Sequence, residues 1–145
     1  MGLIKSSICQ ECLDEQDYFF GVGQSSTIIH MNLLTGDFSW IREQVSASTF
    51  EKLKILINKT KNMQSELSRL KFNFEAKLFQ CDACNIVESH NDILIEFDEG
   101  VTYNIPWNCQ KCEKVLLKAT KPITNYCCKK CGSKLLKIIS EGIWD

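Results

Sequence analysis

Short runs rich in apolar residues recur along the chain, and these runs predict β-strands. Gly, Pro or Asp residues bound several of these runs and favour turns between them, as at Asp98–Gly100, where two runs are predicted to form a hairpin. The predicted strands are residues 3–8, 18–20, 76–80, 92–97, 101–105, 115–119 and 135–139.

Between residues 48 and 74 the apolar residues recur at steps of three to four, and this period predicts a helix. Ser48 and Glu51 have the spacing of a capping box, in which each side chain bonds to the backbone amide of the other. The polar stretch 58–62 interrupts the pattern, so one long helix and two shorter ones are both compatible with it. The stripe favours packing within the chain over a coiled-coil partner, because its heptad run is short. Its members are Phe50, Leu53, Ile57, Met63, Leu67, Leu70 and Phe74.

Cysteines change this picture most, because eight of the nine stand in Cys-x-x-Cys pairs. At this spacing a tight turn points both sulfurs at one ion, and four thiolates complete one tetrahedral zinc site. Eight paired cysteines therefore predict two structural sites and two Zn²⁺ ions, and iron is the alternative metal for such sulfur ligands. The predicted ligands are Cys9, Cys12, Cys81, Cys84, Cys109, Cys112, Cys128 and Cys131.

The spacing of the last two pairs is the most specific pattern in the chain. Cys109/Cys112 and Cys128/Cys131 are separated by about 15 residues, within the range found in zinc sites. We therefore predict that they share one ion and that Cys9/Cys12 and Cys81/Cys84 form the second site by elimination. Two alternatives stay open: the first pair with the third and the second with the fourth, or Cys81/Cys84 with Cys109/Cys112.

The remaining metal-binding residue types give no catalytic pattern. Cys127 adjoins Cys128, and we predict it to be a small buried residue beside the ligand, a reactive thiol at most. His30 and His90 are the two histidines, and both are predicted to be ordinary core or surface residues. Gly21-x-Gly23 lacks the rest of a phosphate-binding motif and is interpreted as a backbone turn. A metal closed by four sulfurs has no open position for substrate, so we predict that the protein is not an enzyme.

Composition and charge add the cellular context. The chain has no run of 18 apolar residues and no apolar leader before Cys9, and its many cysteines favour metal over disulfides, so we expect a reducing, cytoplasmic setting. The Met1–Ser6 segment fits the loose N-myristoylation pattern, although it also reads as the start of a strand. Net charge is −1, but the charges are segregated into two acidic blocks, −4 at residues 1–46 and −6 at residues 81–108, and two basic blocks, +4 at residues 47–80 and +5 at residues 109–145. The basic residues between 109 and 137 leave nucleic acid as an alternative partner, with Trp107, Tyr126 and Trp144 as candidate stacking platforms.

The segment from Cys109 to Gly132 resembles the zinc-ribbon superfamily. The overall layout also resembles a group of uncharacterised bacterial proteins that combine a Met-Gly start, four cysteine pairs, a Gly-x-Gly and a Gly-x-Trp-Asp end. Leu13 and Glu113 depart from the ribbon pattern, which has glycine after the second cysteine. The resemblance implies an α+β, mostly β fold with two zinc-ribbon (rubredoxin-like) four-cysteine modules.

On this basis we expect an N-terminal zinc-binding module at residues 1–108, with a helical insertion at about 48–74, and a C-terminal zinc ribbon at residues 109–145. The expected function is that of a non-catalytic protein-interaction module or adaptor, with a protein as partner. The alternatives are a nucleic-acid-binding ribbon and a thiol-redox or zinc-dependent enzyme.

Overall fold

The computed structural model describes residues 1–23, 32, 39–62, 71–96, 100 and 102–144, and in these residues the fold is mostly β. Seven strands form one antiparallel sheet in the order β5-β4-β3-β2-β1-β7, and β6 pairs with β3 outside this path. The strands are β1 (Gly2–Cys9), β2 (Glu15–Gly21), β3 (Lys71–Cys81), β4 (Ile86–Glu96), β5 (Thr102–Asn104), β6 (Leu117–Lys118) and β7 (Leu136–Trp144). Helix α1 spans Ala47–Asn62.

Two hairpins organise the sheet, and each one turns at a cysteine pair. β1 and β2 turn at Cys9–Cys12, and β3 and β4 turn at Cys81–Cys84. The hairpins meet through one β2–β3 pair, Gly21 with Ala76. From that pair toward the cysteine turns, β2 diverges from β3, and the side chain of Ser89 on β4 bonds to the backbone of Phe19. The two halves of the sheet are thus joined at one end and separate toward the cysteines.

The predicted strands all lie within observed strands or overlap them, and the hairpin predicted around Asp98–Gly100 is confirmed by the pairing of β4 with β5. The helix prediction was only partly right. α1 begins two residues early, because the hydroxyl of Ser46 accepts from the amide of Thr49 at 3.2 Å and so caps the helix instead of Ser48. Residues 71–74 belong to β3, where Phe72 and Phe74 follow a strand period. Met63, Leu67 and Leu70 lie outside the described residues.

Two apolar clusters fill the interior. The larger one joins α1 to the β3–β4 hairpin: Leu53 and Ile57 of α1 share it with Ile93 and Ile95 of β4, and all four are almost completely buried. Each such side chain stabilises the fold by about 1.5–3 kcal/mol relative to exposure. The smaller cluster lies under β1, β2 and β7 and includes Tyr18, Val87, Tyr126 and Leu136. Each cluster contains cysteines of one of the two four-cysteine groups described below, so the apolar interior surrounds each group.

The two ends of the described chain meet at Trp144. Its indole N–H donates to the Phe20 carbonyl at 3.1 Å, and its ring contacts the Phe19 ring edge to face. The ring lies directly on Gly2 and Gly23, where an added Cβ would overlap the indole. Glycine is thus required at these positions by close approach, and Gly21 adopts a positive φ of 80° where β2 ends. The Gly21-x-Gly23 motif is therefore part of this backbone turn and of the Trp144 contact.

Within the described part of the chain, no helix is both long and apolar enough to cross a membrane.

Candidate metal centres

The first four-cysteine group, which we call the outer site, consists of Cys9, Cys12, Cys128 and Cys131. β1 ends at Cys9, and β7 pairs with β1 up to that residue, with Leu136 opposite Cys9. The amide of Gln10 also donates to the carbonyl of Leu135 at 2.9 Å. This pairing holds the segment just before β7 beside the β1–β2 turn, and that segment carries Cys128 and Cys131.

The second group, the inner site, consists of Cys81, Cys84, Cys109 and Cys112. β3 ends at Cys81, and β6 lies along β3 with Leu117 opposite Gln80. A bridge between Asn108 and Val115 closes the loop that holds Cys109 and Cys112. The pairing of β6 with β3 therefore brings this loop to the end of the β3–β4 hairpin.

All four cysteine pairs share one backbone turn. At three of them the amide four residues after the first cysteine donates back to that cysteine's carbonyl, at 2.8–2.9 Å. The residue after the second cysteine has a positive φ at every pair: Leu13 (58°), Asn85 (50°), Glu113 (62°) and Gly132 (78°). Leu13 and Glu113, which depart from the zinc-ribbon sequence pattern, thus adopt the same conformation as Gly132. The absence of glycine at Leu13 and Glu113 therefore leaves the turn unchanged. It adds backbone strain, because residues other than glycine are disfavoured at positive φ.

The sulfur positions match the size of a tetrahedral metal site. In each group all four Sγ atoms lie within 4.8 Å of one another. Between the pairs, Cys9 Sγ lies 3.5 Å from Cys131 Sγ, Cys12 Sγ lies 3.6 Å from Cys128 Sγ, and Cys81 Sγ lies 3.4 Å from Cys112 Sγ. A Zn–S bond of about 2.3 Å places sulfurs about 3.8 Å apart at the corners of a tetrahedron. Each group could therefore hold a metal ion.

The thiol pKa values show why such groups favour a cation. The backbone amide of Cys12 lowers the pKa of Cys9 to about 6 against the opposing effect of burial, and the amide of Lys114 lowers the pKa of Cys112 to about 7. The pKa of Cys84 rises instead to about 12, because its proton is shared with Cys112 and because the site is buried. Repulsion between neighbouring thiolates opposes deprotonation of the second and third thiol in a group, and a bound divalent cation offsets that repulsion.

This grouping corrects the predicted pairing. Cys109/Cys112 join Cys81/Cys84, which was one of the open alternatives, and Cys128/Cys131 join Cys9/Cys12. Both groups therefore draw on residues from each side of the boundary predicted at residue 108, and the division into modules stays a prediction. Strand pairing decides the outcome, because β7 pairs with β1 and β6 pairs with β3.

The two sites touch through their turns. Lys129 in the outer site donates to the side-chain oxygen of Gln110 in the inner site at 3.3 Å. The amide of Cys127 donates to the Asn85 carbonyl at 2.7 Å, and the Asn85 side chain donates to Cys127 Sγ at 3.3 Å. Cys127 belongs to neither group, as predicted, but it is half-buried, whereas a buried residue was predicted.

His90 is buried, in agreement with its prediction as an ordinary core or surface residue, but sequence reasoning missed its pairing with Glu88. His90 Nε2 and Glu88 Oε2 lie 2.9 Å apart, and both side chains are more than nine-tenths buried. The His90 ring stacks on Trp107 with centroids 5.0 Å apart, and Lys129 Nζ lies 3.3 Å from Glu88 Oε1. Burial raises the pKa of Glu88, but the hydrogen bond from His90 and the charge of Lys129 outweigh it, so the net shift is downward. The one available signal was the Glu-x-His spacing, which places both side chains on one face of a strand.

The other predicted residues fall in different places. Of the three predicted stacking platforms, Trp107 and Tyr126 are buried to 98% or more, so neither presents a ring face to a base. The Trp144 ring packs against Gly2 and Gly23. His30 lies outside the described residues.

No protein-family model, curated protein or solved structure matches this chain.

Proposed function

We propose that this chain is a zinc-binding protein of zinc-ribbon type whose two four-cysteine sites are structural, and that it acts without catalysis as a protein-interaction module. The observation that carries the proposal is the meeting of eight cysteines in two groups of four, within each of which all sulfurs lie within 4.8 Å of one another. Thiolate ligands and tetrahedral geometry favour zinc, with iron as the alternative. Four sulfurs complete the coordination of the ion, which leaves no position at which a substrate or a reactive water would bind.

The role of the metal is to fix turns that lie outside the long strands. The turn at Cys128–Cys131 is connected to the rest of the fold by β7 and a few backbone hydrogen bonds, and the turn at Cys109–Cys112 by one bridge, the two-residue strand β6 and the contacts of the neighbouring residues Asn108 and Trp107. Binding free energy at such a site is folding free energy. Loops held in this way present fixed surfaces, which suits recognition of a partner.

The nucleic-acid alternative has less support. Trp107 and Tyr126 are buried, and two of the lysines expected to contact phosphates are already paired: Lys129 with Glu88, and Lys130 with Asp14. Binding of nucleic acid through these lysines would first have to break contacts within the fold.

Native mass spectrometry of protein purified without added metal tests the proposal. We expect the mass of two zinc ions per chain, and Co²⁺ substitution is expected to give the absorption bands of tetrahedral tetrathiolate cobalt at both sites. Cys127→Ser is the matched control, since it removes a cysteine beside a ligand and is expected to keep both ions. Iron, a single ion, or the two-hydrogen mass losses of disulfides would contradict the proposal.

A further inference from the structure

The segment that leads into the outer site is attached to the hairpin that carries the inner site. The Ala119 amide donates to the Leu78 carbonyl at 2.9 Å, and the Tyr126 hydroxyl donates to the side-chain oxygen of Gln80 at 2.7 Å. Both acceptors lie on β3, just before the inner-site turn of the β3–β4 hairpin. Beyond this segment the chain reaches β7, which pairs with β1. The chain therefore passes from one hairpin to the other at the outer-site turn Cys128–Cys131.

Asn85 and Cys127 join the two sites at this point. Asn85 directly follows Cys84 of the inner site. Cys127 directly precedes Cys128 of the outer site. The Cys127 amide donates to the Asn85 carbonyl at 2.7 Å, and the side-chain amide of Asn85 donates to Cys127 Sγ at 3.3 Å. Two hydrogen bonds thus connect residues that are each one peptide bond away from a predicted metal ligand.

Lys129 adds a further link between the outer-site turn and the same hairpin. Its ammonium lies 3.3 Å from Oε1 of Glu88, a buried residue of β4, and it also donates to Gln110 in the inner-site loop at 3.3 Å. Solvent and salt screen an ion pair with a buried carboxylate less than they screen a surface pair. The outer-site turn therefore contacts the elements of the inner site at both Cys127 and Lys129, and its position depends on theirs.

From these contacts we infer that the two sites bind metal cooperatively, so that an ion in one site raises the affinity of the other. An ion in the inner site fixes the turn Cys81–Cys84 and, with it, the Asn85 carbonyl. That carbonyl holds Cys127 and so positions the ligand Cys128. An empty inner site leaves this turn free to adopt other conformations, and the affinity of the outer site is then reduced by the fraction of chains in which the turn is in place.

Coupling of this kind acts in both directions, because the change that one bound ion makes in the affinity of the other site must equal the reverse change. An ion in the outer site fixes Cys127 and therefore supports the inner-site turn through the same two hydrogen bonds. As free zinc rises, the chain passes from empty to doubly loaded over a narrower range than the same two sites without coupling would allow. This inference rests on the proposed zinc-binding role and adds a regulatory property to it.

Titration of the metal-free, full-length chain with Zn²⁺ against a competing chelator, read by native mass spectrometry, measures the coupling. A variant with the four outer-site cysteines replaced by serine gives the zinc affinity of the inner site alone, and the corresponding inner-site variant gives that of the outer site alone. The coupling factor is the two-zinc formation constant of the wild type divided by the product of these two affinities. We expect a factor of at least about five, the lower end of the usual range for coupled sites. A factor of one would overturn the inference.

Two matched variants, each made in all three backgrounds, assign the coupling to Asn85. Asn85→Gly removes the side-chain bond to Cys127, and glycine readily adopts the φ of 50° at this position. Glu113→Gly makes the same kind of change at the equivalent position of the other inner-site turn, where φ is 62° and the side chain is exposed. We expect the coupling factor to fall at least about twofold in Asn85→Gly and to keep its wild-type value in Glu113→Gly. Equal factors in the two variants contradict the assignment.

Cys127→Pro is the second test, because it removes the amide that donates to Asn85 as well as the sulfur. Tyr126 has the extended backbone that a residue before proline requires. We expect this variant to lower the coupling factor further, whereas Cys127→Ser keeps the amide and an acceptor and should retain it; an unchanged factor in Cys127→Pro overturns the inference. The same titrations separate the two proposals. Two zinc ions bound with a coupling factor of one remove the cooperativity and leave the zinc proposal standing, whereas a chain that binds no zinc removes both.

Discussion

The observed cysteine grouping and the pairing predicted from the sequence give opposite zinc contents for two variants of the chain. Two variants each replace four cysteines by serine and so lose the same number of thiols. The first removes one complete site of the structure, and the second removes one pair from each site. They are Cys9→Ser/Cys12→Ser/Cys128→Ser/Cys131→Ser and Cys9→Ser/Cys12→Ser/Cys81→Ser/Cys84→Ser.

The expected difference in metal affinity is large. A structural zinc site contributes about 10–16 kcal/mol at neutral pH. If a pair of thiolates retains about half of that, a half-site binds zinc roughly 10⁴- to 10⁶-fold more weakly than a complete site. In the first variant the inner site keeps all four sulfurs, including Cys81 and Cys112 with their sulfurs 3.4 Å apart. It also keeps the larger apolar cluster that surrounds it.

Native mass spectrometry after dialysis against a chelator of intermediate affinity distinguishes the variants. We expect one zinc ion in the first variant and none in the second. The pairing of Cys109/Cys112 with Cys128/Cys131 requires the reverse, namely none in the first and one in the second. That reversed result would refute the reasoning from strand pairing. Circular dichroism of each variant is the control, because it shows whether the strands are still folded in the sample whose zinc content is measured.

Three further predictions concern stability in zinc-loaded protein. Trp144→Ala is expected to lower the free energy of unfolding by about 2 kcal/mol, and Gly23→Ala, whose Cβ would overlap the indole, by a similar amount; the double variant should lose clearly less than the sum in denaturant titrations, and additivity would contradict the contact. Leu13→Gly is expected to raise stability by about 1 kcal/mol, because Leu13 is exposed and has a φ of 58°, and an unchanged or lower denaturation midpoint would refute this. Glu88→Gln is expected to destabilise the fold near neutral pH. The folded-state pKa of Glu88 is below its unfolded value, so its contribution is complete above about pH 4.3 and is lost as the pH falls through the folded-state pKa. The difference in unfolding free energy between wild type and variant should therefore narrow in acid, and a difference independent of pH would exclude the contacts of the Glu88 carboxylate with His90 and Lys129 as its cause.

Local features of this chain were predictable because they depend on neighbours in sequence. Short apolar runs identified the strands, and a tight turn follows from each Cys-x-x-Cys. The helix cap was misplaced because Ser46 and Ser48 are both good N-cap residues, and the Asn108 side chain, which accepts from the Ser46 amide at 3.0 Å, favours the earlier one. That contact spans 62 residues and leaves no mark on the local pattern. The Glu88–His90 pair was missed for the same reason, since its burial depends on Trp107 and Lys129.

The cysteine pairing shows where reasoning from spacing fails. Closing a longer loop costs only slowly more entropy, so the short separation of the last two pairs gave them an advantage of about 1 kcal/mol over a longer loop. Strand pairing outweighs that advantage, because β7 forms a ladder along the whole of β1 and buries Leu136 beside Cys9. Separating Cys128/Cys131 from Cys9/Cys12 would require breaking this ladder at the cysteine end. The metal sites therefore join strands that the apolar pattern has already brought together, and the partner of each cysteine pair follows from the topology of the sheet.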